Sequence, residues 1–387
     1  MIKVLSIDLE TRSACDLKKT GVYRYSEDES FRILLFGVSI NGAPPVVYDL
    51  ASGEHLPDDL LHALVDDKVI KWAFNASFER VCISRWLKKN YPEIFRGYGD
   101  KDTVLRDYLN PASWRCSLVL SAYNGLPLSL EMAGAVLGFD KQKLKEGHDL
   151  IRYFCKPDKD GYFHTPEDDP AKWALFKSYN LRDVEVELKI HERLKNYSVP
   201  DSVWQEYAVD QAINDRGIMI DEKLVKNGIA IDKMAKDTLM ISMQNLTGLD
   251  NPNSGVQLKG WLDEQGHPME SLGKKEVTAA IPDAPEKIGE VLSLRLQAAK
   301  SSVKKYQAME DTVCKDGRCH GMFFFYGANR TGRWCLTGDH EVLTRDGWVR
   351  LDEWQGGAIA CWNASSEAAS FQVSEALQFP YTGPMYT

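Results

Sequence analysis

Residues 4–11 read Val-Leu-Ser-Ile-Asp-Leu-Glu-Thr, a short apolar run broken by two acids. Val4, Leu5, Ile7 and Leu9 give it the composition of a buried β-strand, and Asp8 and Glu10 stand two apart within it. Side chains two apart on a strand point to the same face, so both carboxylates leave the strand together. Two acids on one buried face repel each other and are costly to desolvate unless a cation lies between them. Oxygen donors of this kind suit hard cations such as Mg2+. The same acids could equally face water at a solvated strand end, and the rest of the chain decides between the two readings.

Residues 31–40 (FRILLFGVSI) and 45–49 predict two further strands, joined through Asn41-Gly42, a strong hairpin dipeptide. Residues 57–65 have the apolar spacing of an amphipathic helix, and 68–74 form another short apolar run. The segment Asn75-Ala-Ser-Phe78-Glu79-Arg80 then opens a helix reaching about residue 89, with Asn75 as its predicted N-cap. A long helix is predicted over 170–196. It carries Tyr179 and Asp183, i and i+4, on one face; taken alone, the pair could be a core aromatic beside a surface acid. Alternation of this sort implies a mixed sheet packed by helices.

The D-x-E strand, the N-x-x-F-[acid] helix start and the Y-x-x-x-D helix together resemble the DnaQ-like 3′–5′ exonucleases of the DEDDy type, over about residues 1–196. The resemblance implies a ribonuclease H-like α/β domain over 1–198, cutting DNA with two divalent ions, Mg2+ or Mn2+. Asp8, Glu10 and Asp183 would be metal ligands, and Tyr179 would orient the attacking water. One ion would activate that water and the other would stabilise the leaving 3′-oxygen. Asn75 and Phe78 would touch the DNA. Glu79 stands where the family usually has aspartate; one methylene longer, it could reach a metal directly or through water. An active exonuclease is the expectation, and a fold kept only to hold single strands is the alternative.

Beyond Pro200 the pattern becomes helical: 203–216, then a short strand over 217–221, then 222–246. Asn251-Pro-Asn-Ser254 punctuates it before another helix. A long helix over 285–314 carries Lys300, Lys304 and Lys305, and 321–326 (GMFFFY) predicts an apolar strand. Arg330-Thr-Gly-Arg333 follows. The spacing Asp210 to Gly217, the N-P-N-S segment and the T-G-R segment resemble the family A DNA polymerases of phage and prophage type. That resemblance implies a mostly α thumb and the start of a palm over 199–334, with Lys304, Arg330 and Arg333 contacting DNA. The further acid-bearing palm and fingers segments are absent, so polymerisation is expected only after joining to a C-terminal part.

After Trp334 the sequence turns to short strands and turns. Cys335-Leu-Thr-Gly-Asp-His340-Glu-Val-Leu-Thr344, with a turn at Arg345-Asp-Gly347, resembles the start of an intein. Strands are predicted over 348–351, 358–363 and 370–378. The resemblance implies a small all-β, Hint-like fragment over 335–387, in which Cys335 attacks the preceding carbonyl to form a thioester. The T-x-x-H segment and the terminal His-Asn are missing, and His340 lies too close to Cys335 to replace them. The expectation is a split-intein half or a truncated chain; an unrelated small β-domain is the alternative.

Composition agrees with a folded, core-forming chain: 387 residues, 44% hydrophobic and 10% aromatic. With no membrane-length apolar run and no secretory signal, a cytoplasmic protein without a membrane partner is expected. The eight cysteines are scattered without a CxxC pair, as in reduced thiols. Cys314 and Cys319 lack the second pair of ligands that zinc would need, so a hairpin turning at Asp316-Gly317 is expected. The net charge is −9, yet residues 291–334 hold eight Lys/Arg against three acids, a local excess that suits DNA. The class alternatives are a non-catalytic DNA-binding half-polymerase and a free-standing DEDD nuclease that trims RNA.

Overall fold

The hairpin at Asn41-Gly42 opens the central sheet. The computed structural model describes residues 1–99, 103–139, 147–299, 303–327, 341–345, 347–350, 354–363 and 368–374. Strand β1 (Val4–Arg12) is followed by helix α1 (Leu17–Glu27), whose cap Asp16 accepts from the Lys18 amide. Strands β2 (Arg32–Ile40) and β3 (Val46–Asp49) flank a turn with φ of 53° at Asn41 and 77° at Gly42. These positive angles match the twist of a hairpin. Helix α2 (Asp58–Val65) leads to β4 (Ile70–Ala73), then α3 (Ala76–Asn90) and β5 (Trp114–Cys116). The sheet order is β3-β2-β1-β4-β5. β2 and β3 run antiparallel and β4 and β5 parallel, so the sheet is mixed, with β1 at its centre.

Helices α4 (Ser117–Tyr123), α5 (Leu130–Val136) and α6 (Gly147–Cys155) precede the long α7 (Pro170–Leu194). α7 starts where the sequence favours a start: Pro170 sits in the first turn, and Asp169 accepts from the Lys172 amide. Trp173 Nε1 donates to Asp49 Oδ2 at 2.7 Å and fastens the helix to β3. Leu34, Leu35, Leu150, Phe154, Trp173, Phe176 and Tyr179 form one buried cluster between sheet and helices.

The helical continuation comprises α8 (Asp201–Arg216), β6 (Ile218–Met219), α9 (Glu222–Thr247), α10 (Gly255–Glu264), α11 (Lys274–Ala280), α12 (Glu286–Ala298), α13 (Lys304–Thr312) and β7 (Arg318–Cys319). Leu258, Trp261, Leu262, Val277, Ile288, Val291 and Leu292 form its own apolar cluster. The N-P-N-S segment works as a helix start: Ser254 Oγ accepts from the Gln257 amide, and Gln257 Oε1 accepts from the Asn251 amide. Asp316-Gly317 turn the chain, with Gly317 at φ 76° and β7 paired to β6.

Two expectations fail in this region. Where one helix was expected over 285–314, the described residues form two, α12 (Glu286–Ala298) and α13 (Lys304–Thr312). The strand expected over 321–326 is irregular chain. Asn214 takes the place of a partner strand: its Oδ1 accepts from the Phe323 amide and its Nδ2 donates to the Phe323 carbonyl, both at 2.9 Å.

The chain divides into two compact units, Met1–Phe323 and Phe324–Thr387. In the second, β8 (Glu341–Thr344), β9 (Gly347–Arg350), β10 (Gly357–Asn363) and β11 (Ala368–Ser374) form an antiparallel sheet of order β11-β10-β8-β9. Lys300, Arg330, Arg333, Cys335 and His340 lie outside the described residues.

Candidate active site

The carboxyl end of β1 lies at a place where the sheet opens. β4 pairs with β1 only from Val4 to Ser6, leaving Asp8 and Glu10 beyond its reach on that side. On the other side Asp8 is opposite Gly37 and Glu10 opposite Leu35 of β2. Such an edge, where chains leave a central strand in opposite directions, is where open α/β sheets hold ligands. Glu10 is buried and Asp8 half-buried.

Two helices bring further groups to this edge. α3 leaves the end of β4 and presents Glu79 in its first turn, where the helix dipole favours an acid. Glu79 is buried, and its Oε2 has no hydrogen-bond partner. Burial first, then Asp8, then Glu187, push its carboxyl well above the usual range. α7 presents Tyr179 and Asp183, both buried, with the phenol hydrogen-bonded to the carboxylate. Burial holds the Tyr179 proton far above its ordinary value, and Asp183, Glu10 and Asp8 add to the effect in that order. Tyr179 is therefore a neutral phenol at any working pH, able to orient a neighbour but not to act as an anionic base.

Asp8, Glu10, Glu79, Tyr179 and Asp183 thus share one electrostatic neighbourhood. Asn75 is exposed at the cap position of α3, but its side chain makes no cap hydrogen bond; its carbonyl accepts from the Phe78 amide instead. Phe78 is half-buried, 6.3 Å from the Tyr25 ring. Lys304 stands apart, exposed at the start of α13, which packs on α1 and α9.

Several contributors escaped the sequence reading. Asn180 is fully buried and donates to Asp8. Gly147 lets the Tyr179 ring lie against α6; a Cβ there would stand 2.1 Å from Cε2. Glu187 continues the i+4 stripe from Tyr179 and Asp183, and that spacing could have revealed it. Its Oε1 accepts from Ser117 Oγ at 2.5 Å, and burial pushes the carboxyl up to about 8. Ser117 Oγ also meets His191 Nε2 at 2.8 Å, and burial holds that imidazole down to about 4. Although Glu187 and His191 stand 4.0 Å apart, these shifts make them a neutral network near pH 7 and not an ion pair.

Among the described residues, no group of three or more His, Cys, Asp or Glu is drawn close enough to hold an ion by itself. The donors still fit a hard cation: they are all carboxylate oxygens, Asp8 raises the proton affinity of Glu79, and one buried oxygen of Glu79 is orphaned. A separate cavity of 990 Å³, bordered by Glu27, Arg32, Arg85 and Lys315, includes none of them.

No family model matches the chain. It is similar to a DNA polymerase of Bacillus phage SP02, 44% identical over 340 residues, covering 86% of this chain and 50% of that protein. The chain therefore spans about half the length of the curated relative it matches. Among solved structures it is similar to the POL domain of Pol1 from M. smegmatis in complex with DNA primer-template and dNTP. That match has a TM-score of 0.49 and 11% identity, over 85% of this chain and 50% of the other. Among the described residues no helix is long and apolar enough to cross a membrane.

Proposed function

We propose that the chain is the exonuclease-bearing N-terminal part of a phage-type DNA polymerase, removing nucleotides from the 3′ end of DNA. One observation carries this reading: Asp183, Glu10 and Asp8, from α7 and β1, all act on a Tyr179 that keeps its proton, and Asp8 acts on the buried Glu79 of α3 as well. The sheet order, with its parallel and antiparallel strands on opposite sides of β1, supports it, as does the similarity to a phage polymerase.

Asp8, Glu10, Asp183 and Glu79 would hold divalent ions of the magnesium class. When bound, these supply Lewis acidity for phosphodiester hydrolysis. The chain's own groups do the rest. The Tyr179 hydroxyl, tied to Asp183, orients water beside the scissile phosphate, and the buried cluster behind it fixes the ring. Asn75 and Phe78, on the turn before Glu79, line the approach of the 3′ end. Joined to the remainder of a polymerase, the same activity becomes proofreading.

The test is release of mononucleotides from 3′-labelled single strands in Mg2+ or Mn2+, with DNA and RNA compared. Release from DNA, lost in Asp183→Ala, is expected. A preference for RNA would favour the trimming nuclease, and DNA binding without release would favour the non-catalytic half.

For the tail we infer an N-terminal intein fragment with Cys335 as nucleophile. The separate sheet formed by β8–β11 favours this second reading. Mixing with a chain bearing the cognate C-terminal half should yield a longer spliced product, lost in Cys335→Ala. No product from a confirmed partner would sink it.

A further inference from the structure

Between Tyr179 and Asp183, α7 sends one amide to β1. Asn180 is fully buried, and its Nδ2 donates to Asp8 Oδ2 at 2.6 Å and to the Asp8 carbonyl at 3.1 Å. Both partners can only accept, so the amide's orientation is set by the network. Its Oδ1 is buried without a hydrogen-bond partner. Leaving a buried acceptor unpaired is costly, so an apolar side chain would fill this space more cheaply. The amide's use lies in its donor.

Gly37 makes room for it. Gly37 is opposite Asp8 in the β1–β2 register, and a Cβ there would stand 2.5 Å from Asn180 Oδ1 and 3.1 Å from its Cγ. Both the donor and the gap that admits it therefore converge on Asp8, the half-exposed member of the carboxylate group.

We propose that Asn180 is a positioning residue for Asp8: Nδ2 holds Oδ2 beside the carbonyl of the same residue and so fixes the rotation of the carboxylate, with Gly37 as the opening that lets the amide in. This rests on the reading of Asp8 as a cation ligand. Hydrogen bonds behind metal ligands are typically worth 10- to 100-fold in metal affinity, which sets the size of the expected effect.

The test is Mn2+ binding by the full chain, read by the loss of free-ion paramagnetic resonance signal, well below the melting temperature. Asn180→Leu, which keeps the volume and removes the donor, should weaken Mn2+ binding by about tenfold. Gly37→Ala, whose Cβ would stand 2.5 Å from the amide oxygen and 3.0 Å from Val184 Cγ2, displaces the amide and should do the same. The double variant should be no weaker than either single one, as expected when both changes act through the one hydrogen bond to Asp8. Wild-type affinity in either single variant, or additive losses in the double one, overturns the positioning role. Unchanged binding in Asp8→Ala would instead overturn the reading of the carboxylates themselves.

Discussion

The Arg80 guanidinium meets the Asp215 carboxylate at two points, Nη1 to Oδ2 at 2.8 Å and Nη2 to Oδ1 at 2.7 Å, with both side chains shut off from solvent. Tyr23 and Tyr98 hydroxyls donate to the same carboxylate at 2.7 and 2.6 Å. Burial disfavours the Arg80 charge, but Asp215 more than offsets this and holds the guanidinium protonated. Arg80 follows Glu79 on α3, and Asp215 lies on α8. The pair thus ties the helix that carries a site carboxylate to the helical continuation of the chain. Asp215→Asn leaves Arg80 buried without its counter-charge, and should cost about 3–5 kcal/mol in urea unfolding. A loss below about 1 kcal/mol would show that the pair does not hold these helices together.

Glu79→Gln separates charge from shape. The Glu79 carboxyl is pushed up by burial and by Asp8, so its removal should not lower stability in EDTA. Wild-type protein should melt higher when Mn2+ is added, and Glu79→Gln should lose most of that gain, with cleavage down about 100-fold or more. Near-normal cleavage would remove Glu79 from the site.

Tyr179→Phe keeps the ring packing and deletes the hydroxyl. If the phenol orients water, kcat should fall about 100-fold with KM little changed, as expected for a misplaced reactant. An equal rise in KM would instead make Tyr179 a substrate-binding group.

The Ser117–Glu187–His191 network sets a pH dependence. Glu187 in the folded chain titrates at about 8, above its ordinary 4.5. The folded form therefore holds a proton that the unfolded chain has lost, and stability falls as pH rises between those values. His191, pushed down to about 4 from 6.5 by burial, acts oppositely and adds stability as pH rises from 4 to 6.5. Between 6.5 and 8 only the Glu187 contribution of this network remains. Glu187→Gln should therefore reduce the decline over that range by about 2 kcal/mol, measured by urea titrations in EDTA at pH 6.5 and 8. An unchanged slope would contradict a buried, protonated Glu187.

Local periodicity made β1, the Asn41-Gly42 hairpin, α3 and α7 legible, because apolar spacing and caps act within a few residues. The acids on β1 and the Tyr179–Asp183 spacing were legible for the same reason. Contacts across the chain were not: Arg80 and Asp215 are 135 residues apart, and Asn180 reaches Asp8 across 172. No local pattern announces such pairs. The apolar run 321–326 misled because strand composition says nothing of whether a partner strand exists, and here Asn214 supplies the hydrogen bonds instead. The elements between α3 and α7 went unread because each described one spans nine residues or fewer, too short for local spacing to stand out beside its neighbours.

The most direct measurement is digestion of a 5′-labelled single-stranded DNA with Mg2+ or Mn2+, beside EDTA and Asp8→Ala controls. The account predicts a ladder that shortens from the 3′ end and is absent in both controls. An undegraded strand bound by folded, metal-supplied protein would contradict it, as would a ladder that persists in Asp8→Ala.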